Sequence, residues 1–145
     1  GKDFYNVGGM GHSSMISLGV SLMTKSKVIC LDGDGSILMH MGSMRTAGLF
    51  ANKNFKHILL NNNVHESVGS QPTFSKNLNF KNAASGLGYK SYYKLLKKKN
   101  LRIILKKFLK SQGPSFLEVC IKTGSMKPLS RPQKLSEIKK LFMKK

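Results

Sequence analysis

Lys27-Val28-Ile29-Cys30-Leu31, followed at once by Asp32-Gly33-Asp34-Gly35-Ser36, is the stretch on which the fold turns. The apolar run is short, rich in β-branched residues and free of polar alternation, as expected of a strand buried on both faces of a parallel sheet. A second run, Phe55 to Leu60 (FKHILL), reads the same way and stops at Asn61-Asn62-Asn63. From Ile37 to Ala51, between the two runs, apolar residues recur at helical spacing. Strand, polar turn, helix, strand, polar turn is the unit of a doubly wound α/β fold. It predicts a mostly parallel sheet with helices on both faces, right-handed crossovers and a ligand crevice at the carboxyl ends of the strands.

Outward from that unit the pattern continues. Gly8, Gly9 and Gly11 form a tight glycine cluster ahead of Ser13, a residue able to cap a helix through Met15, Ile16, Leu18 and Leu22. Residues 64–78 show no periodicity and carry Gly69 and Pro72, so they are expected to form a long ordered loop over a site. Asn79 to Leu87 suits a short helix, Tyr89 to Tyr93 a strand, Leu101 to Lys110 an amphipathic helix, and Ser115 to Lys122 a last strand after Gly113-Pro114. Residues 124–133, with Pro128 and Pro132, read as a connector to a terminal amphipathic helix, Leu135 to Met143. The expected organisation is one domain over residues 1–123, then the connector and a basic C-terminal helix over 124–145.

Charge and composition narrow the class. The 145 residues hold 25 Lys or Arg and 6 Asp or Glu, a formal net charge of +19. Residues 1–75 carry 6 basic and 4 acidic residues, net +2, and residues 76–145 carry 19 and 2, net +17. Such a basic half would attract polyanions at long range. The lysines of 94–110 and 134–145 are mixed with Leu, Ile and Phe at helical spacing, which favours solvated helix faces. With no zinc-finger spacing and no aromatics interleaved with Arg, nucleic acid is supported by charge alone and is not expected as a partner. No apolar run approaches the ~20 residues of a membrane span, and no secretory signal is readable. Cys30 and Cys120 both lie in strand-like runs, where free buried thiols and a reducing, cytoplasmic setting are expected.

The two polar clusters carry the chemistry. If the strands before them are neighbours, Asp32 to Ser36 and Asn61 to Asn63 face one crevice. Aspartate and asparagine oxygens are hard donors suited to Mg²⁺, which takes one or two carboxylates and completes its shell with phosphate oxygens and water. Gly33 and Gly35 leave room for a phosphate against the backbone, and Ser36 can donate from a helix N-terminus. Asp34 and Asn62 stand 62 − 34 = 28 positions apart, across one helix and one strand. Together these features describe a Mg²⁺-diphosphate site.

Here the sequence resembles the thiamine-diphosphate enzymes, whose cofactor domain opens on Gly-Asp-Gly and closes on Asn-Asn with such a helix and strand between. Within them, GGMGHSSMISLG, ICLDGDGSILMHMGSM and LLNNNVHESVGSQPT look like the carboxy-terminal domain of phosphonopyruvate decarboxylases and their sulfopyruvate decarboxylase relatives. The resemblance implies that Asp34, the Asn62 side chain and the Val64 carbonyl ligate Mg²⁺, with Asn61 the alternative if the register slips by one. It places Met10 as the apolar wedge that bends the cofactor, with Gly8 offering its carbonyl to the aminopyrimidine and Gly9 beside them. Asn63 stands where the family usually has a glycine. His65 and Glu66, beside the proposed metal, are candidates for proton transfer or loop ordering. Ser67, Ser70, Gln71 and Thr73 are candidate donors to the second anionic group of the substrate, an anionic 2-oxo acid.

The resemblance also implies half an active site. A pyrimidine-binding domain or subunit would supply the activating glutamate, so a homo- or hetero-oligomer is expected, either as a separate subunit or as part of a longer chain. Two other readings stay open: an acetolactate-synthase-like carboligase, and a non-catalytic polyanion-binding module on the same fold.

Overall fold

The computed structural model describes residues 3–124 and 134–144. In chain order the elements are α1 (Ser13–Met23), β1 (Val28–Gly33), α2 (Asp34–Met39), α3 (Gly42–Phe50), β2 (Phe55–Asn61), β3 (Val64–His65), β4 (Gln71–Pro72), α4 (Phe80–Gly86), β5 (Ser91–Leu95), α5 (Leu101–Lys110), β6 (Ser115–Cys120) and α6 (Leu135–Met143). Because each long strand is followed by a helix that crosses back, the strands pair in parallel, in the order β1-β2-β6-β5. Val28 faces Phe55 and Gly33 faces Leu60, so the polar ends of β1 and β2 come out side by side. This is the α/β architecture expected from the alternation of strands and helices.

Alternation along the strands sorts side chains to two faces. Cys30, Phe55, Leu59 and Phe116 meet Ile37, Met44, Ala47, Phe80 and Ala84 of α2, α3 and α4 in the larger core. Phe116 is its centre, stacked on Phe80 and Tyr92 and edge-on to Tyr89 and His57. On the other face Ile58, Leu95 and Leu117 close on Phe108 of α5. Polar groups inside these layers are paired. The Asn54 amide donates to the carbonyls of Thr24 and Ser26, each at 2.7 Å, tying the turn before β1 to the start of β2. Lys56 donates to Ser115 Oγ at 3.0 Å and to the Ser111 carbonyl, and its ammonium sits 5.7 Å from the Phe108 ring; burial holds its pKa below the usual lysine range. Glu118 accepts from Tyr92, from Asn61 at 3.0 Å and from Lys94 at 3.0 Å, joining β5, β6 and β2.

Several local expectations are corrected. β1 is not buried on both faces: Ile29 and Leu31 are 49% and 60% exposed, because β1 is the edge of the described sheet and α5 covers only its β5–β6 side. The strand also runs on through Asp32 and Gly33. The single helix expected over 37–51 is two, broken at His40 and Met41, where His40 leaves helical geometry and its ring stacks on His12 at 4.5 Å. The helix after the glycine cluster is capped by His12, with no side-chain cap from Ser13. The loop over 64–78 contains a small antiparallel ladder, Val64 opposite Pro72 and His65 opposite Gln71. The strand expected at 89–93 lies at Ser91–Leu95, leaving Tyr89 buried in the turn before it. Of the connector, Pro128 and Pro132 lie outside the described residues. The terminal helix is where expected, and Phe142 packs edge-on against Phe4.

Two predictions follow from this packing. A Cβ on Gly48 of α3 would lie 2.1 Å from the Leu87 carbonyl oxygen, whereas one on Gly86 of α4 meets open space. Gly48→Ala is therefore expected to lower unfolding free energy by about 1–3 kcal/mol, and Gly86→Ala to raise it by up to ~1 kcal/mol, both measured by urea denaturation. Burial pushes the Glu118 carboxyl up, but the bonds from Tyr92, Lys94 and Asn61 outweigh it and its pKa lies below the usual range. A lowered folded-state pKa gives stability that is present above the unfolded value of about 4.3 and is lost as pH falls through the folded value. Below about pH 4 the wild-type denaturation midpoint should thus fall more steeply than that of Glu118→Gln; parallel acid limbs would contradict this.

Candidate functional site

Because β1 and β2 are parallel neighbours, the chain leaves both at the same edge of the sheet, and a cleft of about 660 Å³ opens there. That is within the range, roughly 300–1,000 Å³, of cofactor sites. Gly33, Asp34, Gly35 and Ser36 from the β1–α2 turn line one side, and Asn62, Val64, His65 and Glu66 after β2 line another. The turn before α1, with Gly8, Gly9 and Met10, completes the wall. The residues singled out from sequence thus converge on one cleft, with one exception: Asn61 does not line it.

Asp34, the first residue of α2, is only 2% exposed. Its Oδ2 accepts from Thr73 Oγ1 and from Ser75 Oγ at 2.7 Å, and its Oδ1 accepts no hydrogen bond among the described residues. A carboxylate so held has one oxygen fixed and one free to coordinate. Burying that charge is costly unless a cation or donors compensate. Asn62 is half-buried; its amide donates to Glu66 at 3.0 Å and its Oδ1 accepts from the Val64 N–H at 3.2 Å. Asn61 is buried below the cleft and spent on structure, donating to Glu118 and facing Ser75 Oγ at 3.0 Å. Asn63 adopts φ +63°, the left-handed region that glycine fills most easily and asparagine tolerates.

The remaining residues fall into place around these. The His65 ring packs where a Cβ on Gly35 would be, 2.3 Å from its Nδ1, so Gly35 is needed for this approach. Glu66 accepts from Asn62 and from the Gly124 N–H, which commits both its oxygens to ordering contacts. Ser67 lines the cleft. Ser70 and Gln71 are exposed, and Thr73, expected among the substrate donors, is turned into the protein to hold Asp34. At the glycine turn, Gly8 and Gly11 have φ of +78° and +88°. Ser36 Oγ accepts from the Gly11 N–H at 2.8 Å and donates to Asp32.

Sequence reasoning missed three supports. Ser75, 1% exposed, stands within 3.0 Å of acceptor oxygens on Asp34, Asn61 and Asn63. Glu118 fixes Asn61 from the next strand. His57, opposite Cys30 on β2, lies 3.5 Å from Asp32 Oδ2 and 2.7 Å from the Tyr89 hydroxyl. Burial alone would depress the His57 pKa, but Tyr89, Cys30 and Asp32 outweigh it and hold it well above the ordinary range. A hydroxyl in an aperiodic loop carries no sequence signal, and the cross-strand partners become visible only once the register is known.

Comparison with known proteins fits this geometry. Residues 3–119 match the family "Thiamine pyrophosphate enzyme, C-terminal TPP binding domain". The chain is 38% identical over 132 residues to a phosphonopyruvate decarboxylase of Streptomyces viridochromogenes, covering 91% of this chain and 33% of that protein. It is 43% identical over 88 residues to the sulfopyruvate decarboxylase subunit beta of Methanocaldococcus jannaschii, covering 60% of this chain and 47% of the relative. A solved structure from Mycobacterium smegmatis, described as a thiamin diphosphate-dependent enzyme, superposes with a TM-score of 0.67 at 23% identity, over 81% of this chain and 23% of the other; this likeness is one of fold. The chain spans about a third of the length of the phosphonopyruvate decarboxylases it matches. It belongs to the thiamine pyrophosphate enzymes, as their C-terminal, cofactor-binding domain.

Proposed function

We propose that this chain is the diphosphate-side half of a thiamine-diphosphate- and Mg²⁺-dependent 2-oxo acid decarboxylase acting on phosphonopyruvate or sulfopyruvate. The observation that carries the reading is the buried Asp34 carboxylate, with one oxygen fixed by Thr73 and Ser75 and the other free, in the same cleft as Asn62 and Val64. This all-oxygen donor set suits Mg²⁺, a hard cation that shares its shell with phosphate oxygens. Residues 1–123 form the cofactor domain in this reading, and 124–145 a connector and basic helix.

Asp34, Asn62 Oδ1 and the Val64 carbonyl would hold the metal against the diphosphate, and Gly33 and Gly35 would let the phosphates approach the backbone. Met10 would wedge against the cofactor rings, and the Gly8 carbonyl would accept from the aminopyrimidine. When bound, thiamine diphosphate supplies the electron sink for decarboxylation. The chain orients the cofactor and excludes water on one side. Glu66, whose oxygens order Asn62 and Gly124, acts as a positioning residue, which leaves His65 as the titratable group of the cleft wall able to meet substrate. Ser67 is the hydroxyl placed to donate to a phosphonate or sulfonate.

A pyrimidine-binding domain or subunit would bring the activating glutamate, so the active protein is an oligomer or an assembly with that domain. The printed functions of the relatives, phosphonopyruvate and sulfopyruvate decarboxylases, support this substrate class over a carboligase or a polyanion-binding module. The net charge of +19 would also draw a multiply charged anion to the cleft.

Carbon dioxide release by the assembled protein should show a higher kcat/KM for phosphonopyruvate or sulfopyruvate than for pyruvate, at low and at high salt. Ser67→Ala should erode that preference by about tenfold, the order expected when a substrate anion loses one directed donor. A higher kcat/KM for pyruvate at both salt concentrations would overturn the substrate assignment.

A further inference from the structure

We propose that Ser36 is a positioning residue: locked by the buried Asp32, its hydroxyl fixes the distance between the metal side of the cleft and the glycine turn that carries Met10, and does not bind the diphosphate itself. The inference rests on the reading of the cleft as a thiamine-diphosphate site.

Ser36 stands two residues after Asp34 on the same short helix, α2. Its Oγ accepts the Gly11 N–H at 2.8 Å, a contact between residues 25 positions apart, and donates its proton to Asp32 Oδ1. A serine hydroxyl has a single proton. With that proton committed to Asp32, a phosphate, which offers only acceptors, finds no side-chain donor at Ser36. What remains is the accepting lone pair, and it is spent on the turn.

Asp32 is itself held from behind. Its Oδ2 lies 3.5 Å from His57 Nε2, and His57 Nδ1 is hydrogen-bonded to Tyr89 at 2.7 Å. Asp32, His57 and Tyr89 are all more than nine-tenths buried, so a polar chain runs from the centre of the core to the cleft and ends on the Gly11 amide. Hydrogen-bonded groups in a low-dielectric interior are stiff, since each has no water to exchange with.

The turn is fixed from other directions as well. The Gly9 carbonyl accepts from the Asn6 amide and from the His12 N–H at 3.1 Å, and the His40 ring fills the space a Cβ on Gly11 would take. Asn6 and His12 belong to the same stretch of chain as the turn. Ser36 is the contact that ties it to the helix bearing Asp34. A cofactor held by its diphosphate at one end and by its rings at the other needs those two anchors at a set separation before it arrives.

Two probes separate positioning from phosphate binding: thiamine diphosphate, which spans both anchors, and inorganic pyrophosphate, which reaches only the metal side. Calorimetry on the full chain with saturating Mg²⁺ should show Ser36→Ala losing about fivefold to tenfold in affinity for thiamine diphosphate, the loss of one hydrogen bond. Its pyrophosphate affinity should be retained, and Ser36→Thr, which keeps the hydroxyl, should recover the thiamine diphosphate affinity. Gly11 amide exchange, followed by NMR without ligand, should quicken in Ser36→Ala and return to the wild-type rate in Ser36→Thr. Equal loss for both probes would make Ser36 a phosphate ligand, and loss of neither, or an unchanged Gly11 amide, would remove the positioning role; either overturns the proposal. Asp34→Ala should lose both probes. If it binds both as the wild type does, the cofactor-site reading itself fails, and the positioning role with it.

Discussion

A carboxylate buried at the end of a parallel strand pair is the constraint around which the rest of this structure is arranged. Asp34 is almost wholly removed from water, and an isolated charge in that position would cost several kcal/mol. Thr73 and Ser75 supply donors to one of its oxygens from a loop that sequence pattern leaves featureless. Ser75 reaches Asn61 and Asn63 as well, so the same hydroxyl that steadies Asp34 sets the chain path after β2 and forces Asn63 into the left-handed region. Position of the charge, course of the loop and presentation of Asn62 to the cleft are one problem with one solution.

The strand ends and the glycine turn were legible because they obey local rules. The unalternating run VICL and the run FKHILL gave parallel strands, and their polar terminators gave the crevice, since a parallel crossover has to deliver both to one edge. Asp34, Asn62 and Met10 then followed from type and spacing. What stayed hidden needed the tertiary structure. The break between α2 and α3 exists because His40 turns to pack on His12 and into the space beside Gly11, a contact across 28 residues that helical periodicity over 37–51 cannot announce. Asn61 and Asn62 are indistinguishable as letters; alternation in β2 sends the first down to Glu118 and the second to the cleft. Thr73 likewise reads as a loop hydroxyl free for substrate until the loop is folded back over Asp34.

The chain supplies one wall of a cofactor site and no residue in the place of a pyrimidine-side acid: Glu66 orders the metal loop, Glu118 is locked between β5, β6 and β2, and Glu137 lies on α6 beside Lys134. Activation of the cofactor is accordingly assigned to another domain. The basic half does not compete with this account. On α5, Lys106, Lys107 and Lys110 are exposed while Phe108 is buried against the sheet, the arrangement of a solvated helix face. Its long-range field assists any anion, and discrimination is left to directed donors in the cleft.

The central claim is that Asp34 and Asn62 together hold a divalent cation against a diphosphate. Electron paramagnetic resonance of Mn²⁺ in place of Mg²⁺ tests it most directly. The wild-type chain should bind one Mn²⁺ when thiamine diphosphate is present, Asp34→Ala and Asn62→Ala should lose it, and Asn61→Ala, if folded, should keep it. Retention of Mn²⁺ by Asp34→Ala in the presence of thiamine diphosphate would contradict the account.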